Sequence, residues 1–292
     1  MTRIEKTVTP STAPAPSTPV APDIQSIKAR QKATWESGDF GEVAKHIMVD
    51  AESFMARVPL RPGMRVLDAA CGTGNLAVLA AQRGCGVSGL DIAANLIVQA
   101  RSRAQKEGLG IEFTEGDAEE MPYPSASFDA VVSMYGVMFA PRPERVVSEL
   151  CRVVKPGGII ALANWTPDGF IGKMFTVFSR HLPPPAGIPS PLLWGSEAVV
   201  RQRFAGCAEE LNFTRSTARM CFPFSPAGTV DFFRRYYGPT HRAFGTLSPS
   251  GQAALLQDLI ELQTRHNISP RPNETETPSE YLKIHAIRTV GV

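Results

Sequence analysis

Three aspartates each close a short apolar run: Asp68 after Val66-Leu67, Asp91 after Gly89-Leu90, and Asp117 shortly after Phe113. Between the first two stands a glycine turn, Gly72-x-Gly74. Glycines there remove side chains, so that backbone N–H groups and the start of the next helix approach a ligand closely. The glycines alone also satisfy a dinucleotide fingerprint, Gly72-x-Gly74-x-x-Ala77, and the neighbouring charges must decide between ligands. Asp68 would face a pyrophosphate, and like charges about 4–6 Å apart in a partly buried cleft are unfavourable. An ammonium or sulfonium is welcome there instead. Asp91, 17 positions after Gly74, is placed to take both hydroxyls of a ribose, or to cap the helix that starts at Ala93. Asp117 with the Ala118 N–H can read an adenine edge, accepting from the amino group and donating to a ring nitrogen, or can cap a turn before Glu119.

These residues need a scaffold of alternating elements. The pattern predicts strands at Arg65–Ala69, Gly86–Leu90, Ile111–Glu115, Phe128–Ser133 and Ile159–Asn164. It predicts helices at Asn75–Arg83, Ala93–Lys106 and Glu144–Val153. Such alternation implies right-handed crossovers and a parallel, doubly wound α/β sheet covered on both faces. Two helices precede it, Ile24–Trp35 and Val43–Val58. The stretch from Thr166 to Gly195 is rich in Pro and aromatics and reads as a lid-like insertion. A helix at Ser196–Phe204, an extended segment at Asn212–Phe222, helices at Thr229–Tyr237 and Ser248–Arg265, and a strand at Tyr281–Val290 follow. The expected organisation is a disordered leader over 1–23 and one domain over 24–292. Within that domain lie cap helices (24–63), a ligand-binding core (64–165), a lid and acceptor-binding insertion (166–250) and a C-terminal helix and strand (251–292).

Composition narrows the class. The 292 residues are 43% apolar and 20% charged, as in a globular protein, and 30 Lys+Arg against 28 Asp+Glu leave no general field for nucleic acid or an anionic membrane. No apolar run is long enough to span a bilayer, and the opening residues lack the apolar core of a secretory signal. A soluble, cytoplasmic monomer or homodimer acting on a small molecule is expected, with no nucleic-acid partner and no membrane insertion. Five cysteines without a C-x-x-C pair argue for reduced thiols and against a metal site. Cys71, inside the glycine turn, reads as a small hydrophobe rather than a nucleophile.

Adenine, ribose and a cationic tail together describe S-adenosylmethionine. The successive segments Asp68-Ala69-Ala70-Cys71-Gly72-Thr73-Gly74, Gly89-Leu90-Asp91, Gly116-Asp117-Ala118, Phe128-Asp129-Ala130-Val131-Val132-Ser133 and Val154-Lys155-Pro156-Gly157-Gly158 resemble the ordered motifs of class I S-adenosylmethionine-dependent methyltransferases. The nearest subgroup contains the ubiquinone/menaquinone-type enzymes. The resemblance spans Met64 to Trp165 and implies a Rossmann-like, seven-stranded, mostly parallel sheet with Tyr281–Val290 running antiparallel beside the fifth strand. It implies that Gly72 and Gly74 face the methionine part, Asp68 its ammonium, Asp91 the ribose, and Asp117 with Ala118 the adenine, with Ile92 also in the cofactor site. Ala70, Ser133 and Met134 would line the cofactor, and Trp35, in Trp35-Glu36-Ser37-Gly38-Asp39-Phe40, would cover it.

Methyl transfer from a sulfonium is an in-line displacement, so alignment in a dry pocket supplies most of the catalysis. Tyr135, Met138 and Phe139, just past the fourth strand, are the first acceptor contacts expected, joined by Trp194 and Tyr236 from the insertion. A flat or lipophilic acceptor methylated at O, N or C fits these side chains. His181, His241 and Tyr135 are the candidate proton-transfer groups, with His46 and Glu197 behind them. Arg234-Arg235 with His241 would suit a carboxylate or phosphate. Two other readings stay open: an NAD(P)-dependent oxidoreductase, opposed by Asp68 and by the lack of Tyr-x-x-x-Lys, and a non-catalytic cofactor-binding module.

Overall fold

A computed structural model describes residues 22–290; all but the last two residues of the expected leader lie outside them. Helix α1 (Ile24–Trp35) starts where Asp23 accepts the N–H of Ser26 at 3.1 Å, a side-chain cap for an otherwise unpaired donor. The expected helix over 43–58 is broken into α2 (Phe40–Ala44), a 3₁₀ turn (Lys45–Ile47) and α3 (Met48–Met55). Its apolar spacing survives the break, since Val43, Ile47, Ala51, Phe54, Met55 and Val58 are all buried.

The alternating core follows: β1 (Arg65–Ala69), α4 (Asn75–Ala81), β2 (Gly86–Asp91), α5 (Ala94–Lys106), β3 (Ile111–Glu115), β4 (Phe128–Met134), α6 (Pro143–Val153) and β5 (Val154–Trp165). Strand β5 starts five residues earlier than the pattern predicts. Pairing shifts between Phe128 and Ala130 of β4, and the bulge absorbs Lys155 to Gly158 into the strand. Then come α7 (Phe170–His181), α8 (Glu197–Arg203), β6 (Ala208–Phe222), α9 (Pro226–Tyr236), α10 (Gly238–Thr246), α11 (Pro249–His266) and β7 (Thr275–Arg288).

The seven strands form one sheet in the order β3-β2-β1-β4-β5-β7-β6. Strand β7 pairs antiparallel with both β5 and β6, and the pairs among β1 to β5 are parallel. Edge strand β6 alternates buried and exposed residues only near its C-terminal end, which is why its first residues carry no strand signal. Helix α10 is absent from the sequence reading because Gly238-Pro239 looks like a stop. Here Pro239 sits in the first helical turn, where its missing N–H costs nothing, and Gly238 lets the backbone of Thr34 approach.

Cys151 on α6 and Cys207, just before β6, are joined as a disulfide with Cα atoms 6.2 Å apart. The expectation of five reduced thiols is corrected: 56 residues separate this pair, and only the fold brings α6 beside the start of β6. No helix among the described residues is long and apolar enough to cross a membrane.

Candidate functional site

Strand order reverses between β1 and β4, the switch point at which ligands settle in open α/β sheets. Both strands run into left-handed backbone, Ala70 at φ 55° and Tyr135 at φ 59°. The two turns interlock, for a Cβ on Gly136 would lie 2.6 Å from that of Ala70. A bulky aromatic with positive φ is strained, and such strain collects at functional sites. Tyr135 is held there by donating its N–H to Ala163 O at 2.8 Å and by stacking on Trp165, with centroids 3.6 Å apart.

Outside these strand ends opens a cleft of about 1060 Å³, its mouth included. Asp68, Ala70, Gly72, Asp91, Ile92, Asp117, Ala118, Met134, Tyr135, Phe139 and Trp35 all line it, as the motifs predict. Asp68 is enclosed and accepts the Ala77 N–H at 2.9 Å; burial, opposed by that bond and aided by Asp91, pushes its carboxyl up to about 8. Asp91 is raised as well, again by burial, although it accepts N–H groups from Gly72 at 2.8 Å and Ala93 at 2.9 Å. The Gly72 N–H is therefore spent on Asp91, and the turn offers a ligand its open face rather than that donor. Asp117 accepts the Glu119 N–H at 2.8 Å and pairs with Lys28. Asp91 and Asp117 each accept a backbone N–H of their own turn and also line the cleft.

Helix α1 roofs the cleft. Lys28, Gln31 and Trp35 line it, with Gln31 Nε2 donating to Phe139 O at 2.7 Å and Lys28 bridging Asp117 and the buried Glu119. Lys28 and Gln31 escaped the sequence reading, because polar residues on a helix read as a solvated face. Behind the cleft lies a narrow second chamber, whose wall shares Trp35, Phe40, Ile47, Tyr135 and Phe139 with it and adds Trp165, Met174, Phe233 and Tyr237.

Several expected residues do not reach either space. Gly74 caps α4 at φ 80° and backs onto Phe113. Ser133 is buried and turned toward the Val137 N–H at 3.4 Å. Met138 is core, and Trp194 is enclosed beneath the Arg203 guanidinium, 4.9 Å from its ring. Tyr236 lies on the outer side of α9 against Phe232, and its neighbour Tyr237 takes the inward place. His181 pairs with Asp258 at 2.9 Å, His46 bonds the Cys221 carbonyl, and Glu197 sits 3.7 Å from Arg215. His241 lines a shallow outer hollow with Arg234 and Arg235, on the outer face of α9 and α10. Of the proton-transfer candidates only Tyr135 faces the site, and burial raises its hydroxyl far above neutrality. Cys71 is buried and its thiol is likewise pushed up, as suits a packing residue. No metal-holding cluster occurs among the described residues.

Residues 67–162 match the family described as "Methyltransferase domain". An uncharacterized protein of Mycobacterium tuberculosis is 34% identical over 242 residues, covering 82% of this chain and 88% of that protein. The YcgJ protein of Bacillus subtilis superposes with a TM-score of 0.57 at 17% identity, covering 85% of this chain and all of that one. The chain belongs to the class I S-adenosylmethionine-dependent methyltransferases. This methyltransferase carries the family's mostly parallel seven-stranded sheet, and S-adenosylmethionine is the family's methyl donor. Its cleft fits that donor: three carboxylates are spread along one wall, and aromatic rings close the end that adjoins the inner chamber.

Proposed function

We propose that this methyltransferase acts on a small lipophilic or aromatic acceptor seated in the inner chamber, with the cofactor in the outer cleft. The reading is carried by one observation: Trp35, Phe40, Ile47, Tyr135 and Phe139 wall both spaces at once, so a ligand in either touches the same side chains. S-adenosylmethionine supplies an electrophilic methyl on a sulfonium. In this reading Asp68 holds the ammonium, Asp91 the ribose hydroxyls, and Asp117 with the Ala118 N–H the adenine, while Ala70, Gly72, Ile92 and Met134 pack against the cofactor. Trp35 and Phe139 offer ring faces where the positive charge sits. Tyr135, Trp165 and Tyr237 exclude water and align the acceptor, which is where most of the rate enhancement arises.

In this reading residues 24–63 cover the cofactor, 64–165 bind it, and 166–250 contribute Ile171, Met174, Met220, Phe233 and Tyr237 to the acceptor's chamber. A demethylmenaquinone methyltransferase of Thermus thermophilus, 38% identical over 124 residues that make up 41% of this chain and 56% of that protein, supports a lipophilic acceptor. The test is incubation with S-adenosylmethionine and a panel of phenols, quinones and lipophilic amines, read by mass spectrometry. Methylated product that vanishes in Phe40→Trp, which fills the shared wall, is expected. A protein that binds S-adenosylhomocysteine while methylating only large polar acceptors contradicts the assignment.

A further inference from the structure

Thr240 on α10 and Gln263 on α11 are polar side chains shut inside the helical layer, 1% and 3% exposed. Neither Thr240 Oγ1 nor Gln263 Oε1 finds a hydrogen-bond partner among the described residues. Leaving buried polar atoms unpaired is costly, and native interiors hold few of them. Both side chains line one small cavity of about 230 Å³, its opening included. The rest of its wall, Phe170, Leu259 and Leu262 among it, is apolar.

This cavity adjoins the inner chamber. Met174 of α7 and Phe233 of α9 stand in the walls of both, as Trp35 and Tyr135 stand in the walls of both the chamber and the cofactor cleft. The three spaces form a series that begins at the cofactor and ends on Thr240 and Gln263. Met174 is an adaptable partition, because an unbranched side chain with several rotatable bonds yields readily to a ligand.

The two polar atoms define what the far end takes. Gln263 Oε1 requires a donor, whereas the Thr240 hydroxyl both donates and accepts. A carbonyl would bond Thr240 and leave Gln263 Oε1 unpaired. A charged group would enter without a counter-ion, since no Asp, Glu, Lys, Arg or His occurs among the described residues lining the cavity. A water bonded to these two side chains would make fewer than the usual three or so bonds of a buried water, and a ligand hydroxyl displaces it while keeping both.

Resting on the function proposed above, we infer that this cavity is a far subsite for the acceptor and that it receives a hydroxyl group, which donates to Gln263 Oε1 and accepts from Thr240 Oγ1. The acceptor is then an elongated lipophilic molecule, with the methylated atom beside the cofactor and a hydroxyl at its other end. Gln263 and Thr240 set specificity and take no part in the chemistry.

The probes are phenylalkanols of increasing chain length, each paired with the alkylbenzene in which methyl replaces the hydroxyl. They are titrated into protein saturated with S-adenosylhomocysteine and followed by fluorescence of Trp35 and Trp165, which line the chamber. Transfer out of water alone favours the hydrocarbon. At the length that reaches Gln263 the alcohol should instead bind about tenfold tighter. Gln263→Leu and Thr240→Val, which nearly keep the volume and remove the polar atom, should each erase that preference by weakening the alcohol alone. Neither residue lines the cofactor cleft, so S-adenosylhomocysteine affinity is the folding control. Hydrocarbon preference at every length means that the cavity holds an internal water only, and overturns the subsite while leaving the acceptor chamber intact. An alcohol preference that survives both variants overturns it as well, by placing the hydroxyl elsewhere, as on the unpartnered Tyr135 hydroxyl. If no probe binds at any length, the placement of a lipophilic acceptor in the inner chamber fails, and the subsite falls with it.

Discussion

Asp91 reaches from the end of β2 to the backbone N–H of Gly72, 2.8 Å away, and so fixes the glycine turn before any ligand arrives. Its other oxygen holds the Ala93 N–H at 2.9 Å. Asp91→Ala should weaken S-adenosylhomocysteine binding at least tenfold, by about 1.5–3 kcal/mol, through lost charge-assisted hydrogen bonds. Two buried N–H groups also lose their partner, so a parallel fall in melting temperature is expected. Titration calorimetry decides: unchanged affinity in a folded variant removes Asp91 from the cofactor site.

Asp68 makes the protein sensitive to pH. Its carboxyl is raised from 3.8 to about 8 in the folded chain, so the native state holds a proton that the unfolded state releases. The contribution of Asp68 to the stability of the ligand-free protein is therefore fully present below about 3.8 and is lost as pH rises through about 8. Asp68→Asn should flatten that decline in urea midpoints measured across the same window. A cationic cofactor prefers the ionised carboxylate, so binding near neutral pH should expel a proton. Calorimetry in two buffers of different ionisation enthalpy would expose it as a buffer-dependent heat, and identical heats would contradict the assignment of Asp68 to the ammonium.

Glu119 is enclosed yet serves Lys28 at 2.5 Å, and both the N–H and the guanidinium of Arg142 at 2.6 and 2.7 Å. Removing one partner of a buried pair strands the other charge, at about 3 kcal/mol. Glu119→Ala should lower stability by roughly that amount, and loosen cofactor binding because Lys28 belongs to the helix that roofs the cleft. Glu119→Gln, which keeps an acceptor, should be milder. Denaturant unfolding and S-adenosylhomocysteine titration read the two effects separately.

The Cys151–Cys207 disulfide closes a loop of 56 residues in sequence, and restraining such a loop in the unfolded chain is worth about 2–4 kcal/mol. Reduction, or Cys207→Ser, should lower the melting temperature by several degrees. Neither cysteine lines the cleft, so S-adenosylhomocysteine affinity should hold.

Local chemistry made the sheet and its three carboxylates legible. A strand, a glycine turn and a helix start lie within a dozen residues around Asp68, and Asp91 stands between the end of a strand and the start of a helix. What depends on distant packing stayed hidden. Lys28 meets Asp117 across 89 positions, and no spacing announces that contact. Tyr236 and Tyr237 are identical in type and adjacent in sequence, yet α9 ends so that only the second turns inward. His181 and His241 drew attention through titratability alone, and the fold commits one to Asp258 and the other to the outer surface. The 3₁₀ break at Lys45–Ile47 left the apolar spacing unchanged, so the pattern could not register it.

Strand β7, made from residues 275–288, is inserted between β5 and β6, pairing with β6 along its whole length and with β5 over Tyr281 to Ile287. During synthesis β5 and β6 therefore emerge long before the strand that joins them, and each leaves an open edge until the last stretch of the sheet leaves the ribosome. Open apolar edges invite pairing with other chains. The cost of this topology falls on the nascent polypeptide: chains released before Thr275 should aggregate or engage chaperones, although every cleft-lining residue has already been made.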